Sequence, residues 1–173
     1  LRGENNSKSI PTALYFRSKN DYVIGEKALK LADATNIEPI VSFKSHLNEN
    51  HFRYNVVCED GSSFKLSAKK ATTYFLSKII NSVQDRVIKV FGAADGYIEK
   101  AIITVPAKFS PASKEEIQDA AIAAGLSDVE LKFEPTAAAA AAYQALEEIK
   151  PVTTMLVYDF GGGTFDISVM QAT

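Results

Sequence analysis

The run Asp159-Phe160-Gly161-Gly162-Gly163-Thr164-Phe165-Asp166 gathers residue types that can handle phosphate and a divalent ion. Glycine has no Cβ, so backbone N–H groups at Gly161, Gly162 and Gly163 can approach an anion closely. The Thr164 hydroxyl adds a donor. Asp159 and Asp166 flank the run, and a carboxylate repels phosphate. The pair therefore suits a hydrated Mg²⁺ lying between itself and the phosphates. A hairpin turn with no ligand would use the same glycines, since glycine is the default turn residue. The flanking acids and Thr164 favour phosphate. Thr154–Tyr158 before the run is apolar and strand-like, and Phe165–Met170 after it alternates with period two. The expected element is a β-hairpin with the glycines at its tip.

Other residues read alone are ambiguous. Glu134, just before Pro135, can simply favour a helix N-terminus electrostatically. Lys44, in Ile40-Val41-Ser42-Phe43-Lys44-Ser45-His46-Leu47, reads as a solvated lysine. His46 and His51 have no third ligand at metal spacing and are read as surface or core residues. Cys58 reads as a small buried or half-buried side chain.

The positioning elements follow from pattern. A strand is expected at Ile10–Phe16; Tyr22-Val23-Ile24 then leads into Gly25 and a helix from Glu26 to about Ala34 with Ala28, Leu31 and Ala32 on one face. Residues 36–52 are irregular, with a short strand or helix. Phe52–Val57 and Ser63–Leu66 form a hairpin around Asp60-Gly61. Ser67 opens the longest helix, whose apolar stripe is Ala71, Phe75, Ile79, Val83 and Val87, and Gly92 ends it. Ala101–Val105 reads as a buried strand stopped by Pro106. A helix then starts at Ser110-Pro111, or at a Ser113–Glu116 capping box. Its stripe is Ile117, Ala120, Ala121 and Ala124, ending at Gly125. Val129, Leu131 and Phe133 alternate as a strand, and a helix follows over Thr136–Ile149. Its alanine run, Ala137–Ala142, suits a helix buried between two lobes. From residue 97 the order is strand, helix, strand, helix, strand, hairpin, which is α/β wiring with crossover helices.

With 173 residues, 46% apolar and 23% charged, the chain has the balance of one soluble globular domain. A net charge of −2 points to no nucleic acid and no anionic membrane surface. No apolar run is long enough to span a bilayer. One cysteine allows no internal disulfide and fits a reducing compartment, so the expected location is cytoplasmic. The chain lacks an initiator Met and closes soon after an apolar strand, so the expectation is a fragment of a longer protein.

Three stretches in order resemble the seventy-kilodalton heat-shock chaperone family. They are Ala101–Phe109 with the helix to Leu126, Phe133-Glu134-Pro135-Thr136 through Tyr143, and Leu156–Val169 around the glycine run. The resemblance implies an α/β, actin-like ATPase fold of the ribonuclease-H-like kind. Two lobes would flank a cleft with nucleotide at its base. The chain would then supply a first-lobe strand and helix (1–34), an inserted subdomain (35–96), and a strand-helix-strand-helix segment (97–152). The opening phosphate-binding hairpin of the second lobe would follow (153–173).

The resemblance also implies roles. Asp159 would organise hydrated Mg²⁺, with Asp166 near the bound ions. Gly161, Gly162 and Gly163 would donate N–H bonds to phosphates, and Thr164 would sit near the γ-phosphate. Glu134 matches a glutamate that helps position the attacking water, and Lys44 resembles a catalytic lysine. Pro106 and Lys114 match a proline and a basic residue that relay nucleotide state outward. The family usually has arginine at the second of these, and lysine cannot form the same planar fork. The implied ligands are ATP or ADP with Mg²⁺, and K⁺ as a further candidate ion.

A first phosphate loop, an adenosine pocket and a peptide-binding domain would lie outside these residues. The implied partners are unfolded or extended peptide, a J-domain co-chaperone and a nucleotide-exchange factor. Full-length ATP hydrolysis is therefore the expectation, with the 173 residues alone inactive. Two other readings stay open: an actin-like ATPase or kinase relative without a peptide-binding domain, and a nucleotide-sensing co-chaperone module that does not hydrolyse.

Overall fold

The computed structural model describes residues 9–93, 96–98, 100–144, 153–160 and 165–172; Thr153, Phe160, Phe165, Asp166 and Ala172 are described by their backbone. Strand β1 (Ala13–Phe16) is buried at all four residues. It pairs antiparallel with β2 (Tyr22–Ile24) on one edge and β3 (Ile40–Val41) on the other. A central strand between two neighbours can be apolar on both faces. One face, Ala13 and Tyr15, packs against Ala28 and Ala32 of α1 (Glu26–Thr35), with Leu31 partly buried beside them. That is the expected stripe. Gly25 joins β2 to α1 at φ 69°, and a Cβ there would lie 2.9 Å from Cγ2 of Ile10. The position therefore needs glycine for both conformation and space.

On the other face, the Phe16 ring meets Phe64 at 5.2 Å and Tyr74 at 5.7 Å, both edge-on, and Tyr22 at 5.5 Å. Burial, then the neighbouring Tyr74, pushes the Tyr22 phenol pKa up. Phe64 belongs to the hairpin of β4 (Tyr54–Val57) and β5 (Ser63–Leu66). Its turn is held by the Asp60 carboxylate, which accepts from the Ser62 N–H at 2.9 Å and the Ser62 hydroxyl at 2.6 Å. These bonds hold the Asp60 carboxyl below its ordinary pKa. The hairpin starts two residues later than the pattern predicts, because Phe52 stacks on His46 instead of extending the ladder.

Helix α2 (Ala68–Phe91) begins and ends where its caps predict. The Ser67 hydroxyl accepts from the Lys70 N–H at 3.2 Å. Ser67→Ala is expected to lower stability by about 1 kcal/mol, read as a shifted urea midpoint, and Ser67→Asp should retain it. The α2 stripe is buried at Ala71 and half-buried at Phe75, Ile79, Val83 and Val87. Val90 and Phe91 at its far end are 73% and 67% exposed. Beyond Gly92 the chain is pinned back by Gln84, whose side chain donates to the Gly96 carbonyl and accepts from the Ile98 N–H.

Strand β6 (Lys100–Val105) pairs with β7 (Asp128–Phe133), and α3 (Pro111–Ala123) connects them. Of the two possible starts for α3, Ser110 is the one used: its hydroxyl accepts from the Ser113 N–H at 3.1 Å. The stripe Ile117, Ala120, Ala121 and Ala124 is buried as expected. β6 is not the buried strand its composition suggests. Lys100, Ile102 and Thr104 are exposed, and of its residues only Val105 is fully buried. A strand is buried on both faces only where both are covered, and β6 alternates as a half-covered strand does.

Helix α4 (Glu134–Gln144) packs on the hairpin of β8 (Thr153–Phe160) and β9 (Phe165–Ala172). The expected continuation over 145–149 lies outside the described residues. Pro135, Ala139 and Tyr143, four apart, form its covered stripe. The other alanines of the run, Ala137, Ala138, Ala140, Ala141 and Ala142, are exposed, so the run is not a helix buried on all sides. One hairpin covers one helix face, and alanine's propensity sustains the rest. The hairpin register runs from Thr153↔Ala172 to Phe160↔Phe165. Its outer face shows Leu156, Tyr158, Ile167 and Val169, each more than half exposed.

The architecture is mixed α/β with small sheets. Two compact units are present: Leu1–Ala101 with Glu115–Val129, and Ile102–Lys114 with Glu130–Thr173. Among the described residues, no helix is long and apolar enough to cross a membrane.

Candidate functional site

Glu134 is the first residue of α4 and follows β7 without a break. It is half-buried. The residue before it, Phe133, receives the Lys114 ammonium 4.3 Å from its ring centroid. A lysine cannot reproduce arginine's planar fork, but it can bind a ring face as a point charge. Pro106 is buried directly after β6, and its carbonyl accepts from the Phe109 N–H at 3.1 Å, turning the chain towards the Ser110 cap of α3.

Asp159 is half-buried in β8 and stands opposite Asp166 in the hairpin register. Like charges at directly opposed positions of an antiparallel pair repel. Gly161, Gly162, Gly163 and Thr164 lie outside the described residues, and Asp166 is described by its backbone. A recess between α4 and the hairpin is lined by Ala139, Ala140 and Tyr143 on one side and Met155 and Met170 on the other. Asp159 shares the Met155 face by strand alternation.

Pro106, Lys114, Glu134 and Asp159 thus belong to one unit, and Lys44 belongs to the other. Lys44 sits half-buried in a 3₁₀ turn, Phe43–His46. Phe43 is 2% exposed and packs on Phe75 of α2 at 5.7 Å. Leu47 is buried. Two left-handed residues bracket the turn, Ser42 at φ 54° and Asn48 at φ 70°. His46 stacks on Phe52 at 3.9 Å with rings 4° from parallel, and its Nδ1 lies 2.9 Å from Glu49 Oε2. Tyr54 meets Phe52 edge-on and donates to the Val41 carbonyl at 3.0 Å. Burial, then the Glu49 charge, pushes the Tyr54 phenol pKa up. His46 is therefore half-buried packing, His51 is exposed, and Cys58 is buried, in keeping with their sequence readings.

Two residues escaped the sequence reading. Phe133 reads only as the apolar member of a strand, although its place beside Glu134 makes it the contact for Lys114. Glu116 reads as half of a capping box, but its carboxylate accepts from the Asn48 N–H at 2.6 Å, 68 residues away.

The Hsp70 protein family model matches residues 1–173. The chaperone protein DnaK of Mycoplasma mobile is 34% identical over 172 residues, which is 99% of this chain and 26% of that relative. The chain spans about a quarter of the length of the curated relative it matches. With a family match over the whole chain and a relative this similar, the chain belongs to the Hsp70 family.

Proposed function

We propose that the full-length protein is an ATP-hydrolysing chaperone, and that this chain is part of its nucleotide-binding domain, with the actin-like lobes and inserted subdomain described for the sequence. The supporting observation is the pairing of Asp159 with Asp166 beside the glycine run. Like charges at opposed register positions repel unless a cation offsets them, so these residue types fit a Mg²⁺ held through water. The ion, when bound, neutralises phosphate charge. K⁺ is a further candidate there.

The chain's own groups divide the remaining work. Gly161, Gly162 and Gly163 donate backbone N–H bonds to phosphate oxygens, and Thr164 donates its hydroxyl near the γ-phosphate. Glu134 orients the attacking water and draws on its proton. Lys44 stabilises charge that develops on the transferring group. Pro106 and Lys114 carry the nucleotide state away from the site, and the Lys114 ammonium on Phe133 makes that path adjacent to Glu134. The gated ligand is unfolded or extended peptide, bound by a segment beyond these residues. A J-domain co-chaperone and a nucleotide-exchange factor are the partners, and the cytoplasm is the compartment. Lysine at position 114 favours one second reading, a nucleotide-gated binding module with little turnover.

The test is Mg²⁺-dependent ATP hydrolysis by the full-length protein. Lys44→Ala is expected to lower single-turnover hydrolysis by about 10²-fold while ATP affinity changes by no more than a few-fold. A wild type that binds ATP without turning it over would support the second reading.

A further inference from the structure

The turn that carries Lys44 has supports on two helices. On one side Phe43 is buried against Phe75 of α2. On the other, the Asn48 N–H donates to Glu116 Oε2 of α3 at 2.6 Å. The bonds within the turn are short-range: Ser45 N–H donates to the Ser42 carbonyl, Leu47 N–H to the Lys44 carbonyl and Glu49 N–H to the His46 carbonyl. Asn48 adopts φ 70°. A non-glycine residue stays in the left-handed region only where its surroundings hold it there, and asparagine does so at the least cost. A bond from an ionised carboxylate to a backbone N–H is of the stronger, charge-assisted kind.

The other charges around this recess have partners of their own. The Arg53 guanidinium donates to the Asn50 and Phe52 carbonyls, Lys69 pairs with Asp119 at 2.6 Å, and Glu49 pairs with His46. Asp119 lies three residues beyond Glu116 on α3, so the same helix also ties down the first turn of α2. Glu116 thus meets the end of the Lys44 turn with a fixed helix behind it.

We propose that Glu116 is a positioning residue for Lys44, fixing the Asn48 end of the turn from which the lysine projects. The inference rests on the catalytic reading of Lys44 given above. Its test uses the full-length protein and two readouts. The first is amide hydrogen exchange at Asn48. Glu116→Ala should speed exchange there by about tenfold, the cost of one such bond, while interior amides of α2 keep their rates and Glu116→Gln restores most of the protection. The second is single-turnover hydrolysis. Glu116→Ala should slow it by about three- to tenfold with ATP affinity unchanged, Glu116→Gln should recover it, and Glu116→Ala should add nothing to Lys44→Ala. Unchanged exchange at Asn48 would overturn the proposal. So would additive effects of the two alanine variants, or lost protection with full turnover. If Lys44→Ala itself keeps full turnover, the reading of Lys44 fails and takes the proposal with it, a result visible in that single variant.

Discussion

Glu134→Ala in the full-length protein is expected to lower ATP turnover by about 10²–10³-fold while ATP still binds. A positioned carboxylate that orients water and draws on its proton acts mainly in the transition state, so its loss should appear in kcat more than in nucleotide affinity. The structure offers a rival role. Glu134 is the first residue of α4, where a negative charge favours the helix N-terminus by about 0.3–1 kcal/mol. The two roles separate cleanly. A helix-terminus role predicts a small drop in unfolding free energy and near-normal turnover. A catalytic role predicts lost turnover in Glu134→Ala and Glu134→Gln alike, because the amide keeps the shape but cannot take a proton. Tight ATP binding with near-normal turnover in both variants would remove Glu134 from the chemistry.

Phe16→Ala should cost about 3–5 kcal/mol of stability, the range for deleting a buried aromatic ring. Phe16 is 2% exposed and its ring contacts Tyr22, Phe64 and Tyr74, which come from β2, β5 and α2. Removing it leaves a cavity where three elements meet, and none of them can collapse inward without leaving another neighbour. Native domains are stable by about 5–15 kcal/mol, so the variant should show a much lower urea midpoint and reduced soluble yield. Phe16→Leu keeps most of the volume and should cost less than about half as much. Equal midpoints for wild type and Phe16→Ala would mean that the aromatic cluster does not hold the sheet to α2.

Much of this was legible in the sequence because its causes are local. Ser67 and Gly92 bound α2 as read, since capping depends on atoms within one turn. Asp60-Gly61 closes the β4–β5 hairpin, and the alanines and isoleucine of α3 are buried at the spacing read from sequence. The three ordered motifs identified the family, and the match over residues 1–173 bears this out. Within these residues β6 and the alanine run are covered on fewer faces than their composition allows. Composition reports what a residue tolerates, while burial depends on what the fold lays against it.

The residue types at the candidate site, the helix ends, the tight turns and the apolar stripes were set by sequence alone, because each arises within a few neighbouring residues. Tertiary structure alone decided that Lys114 rests on Phe133, that His46 stacks on Phe52 and that Glu116 reaches Asn48. These pairings depend on strand register and helix placement. The same side chains would satisfy local rules equally well without meeting, so only the folded backbone selects among them.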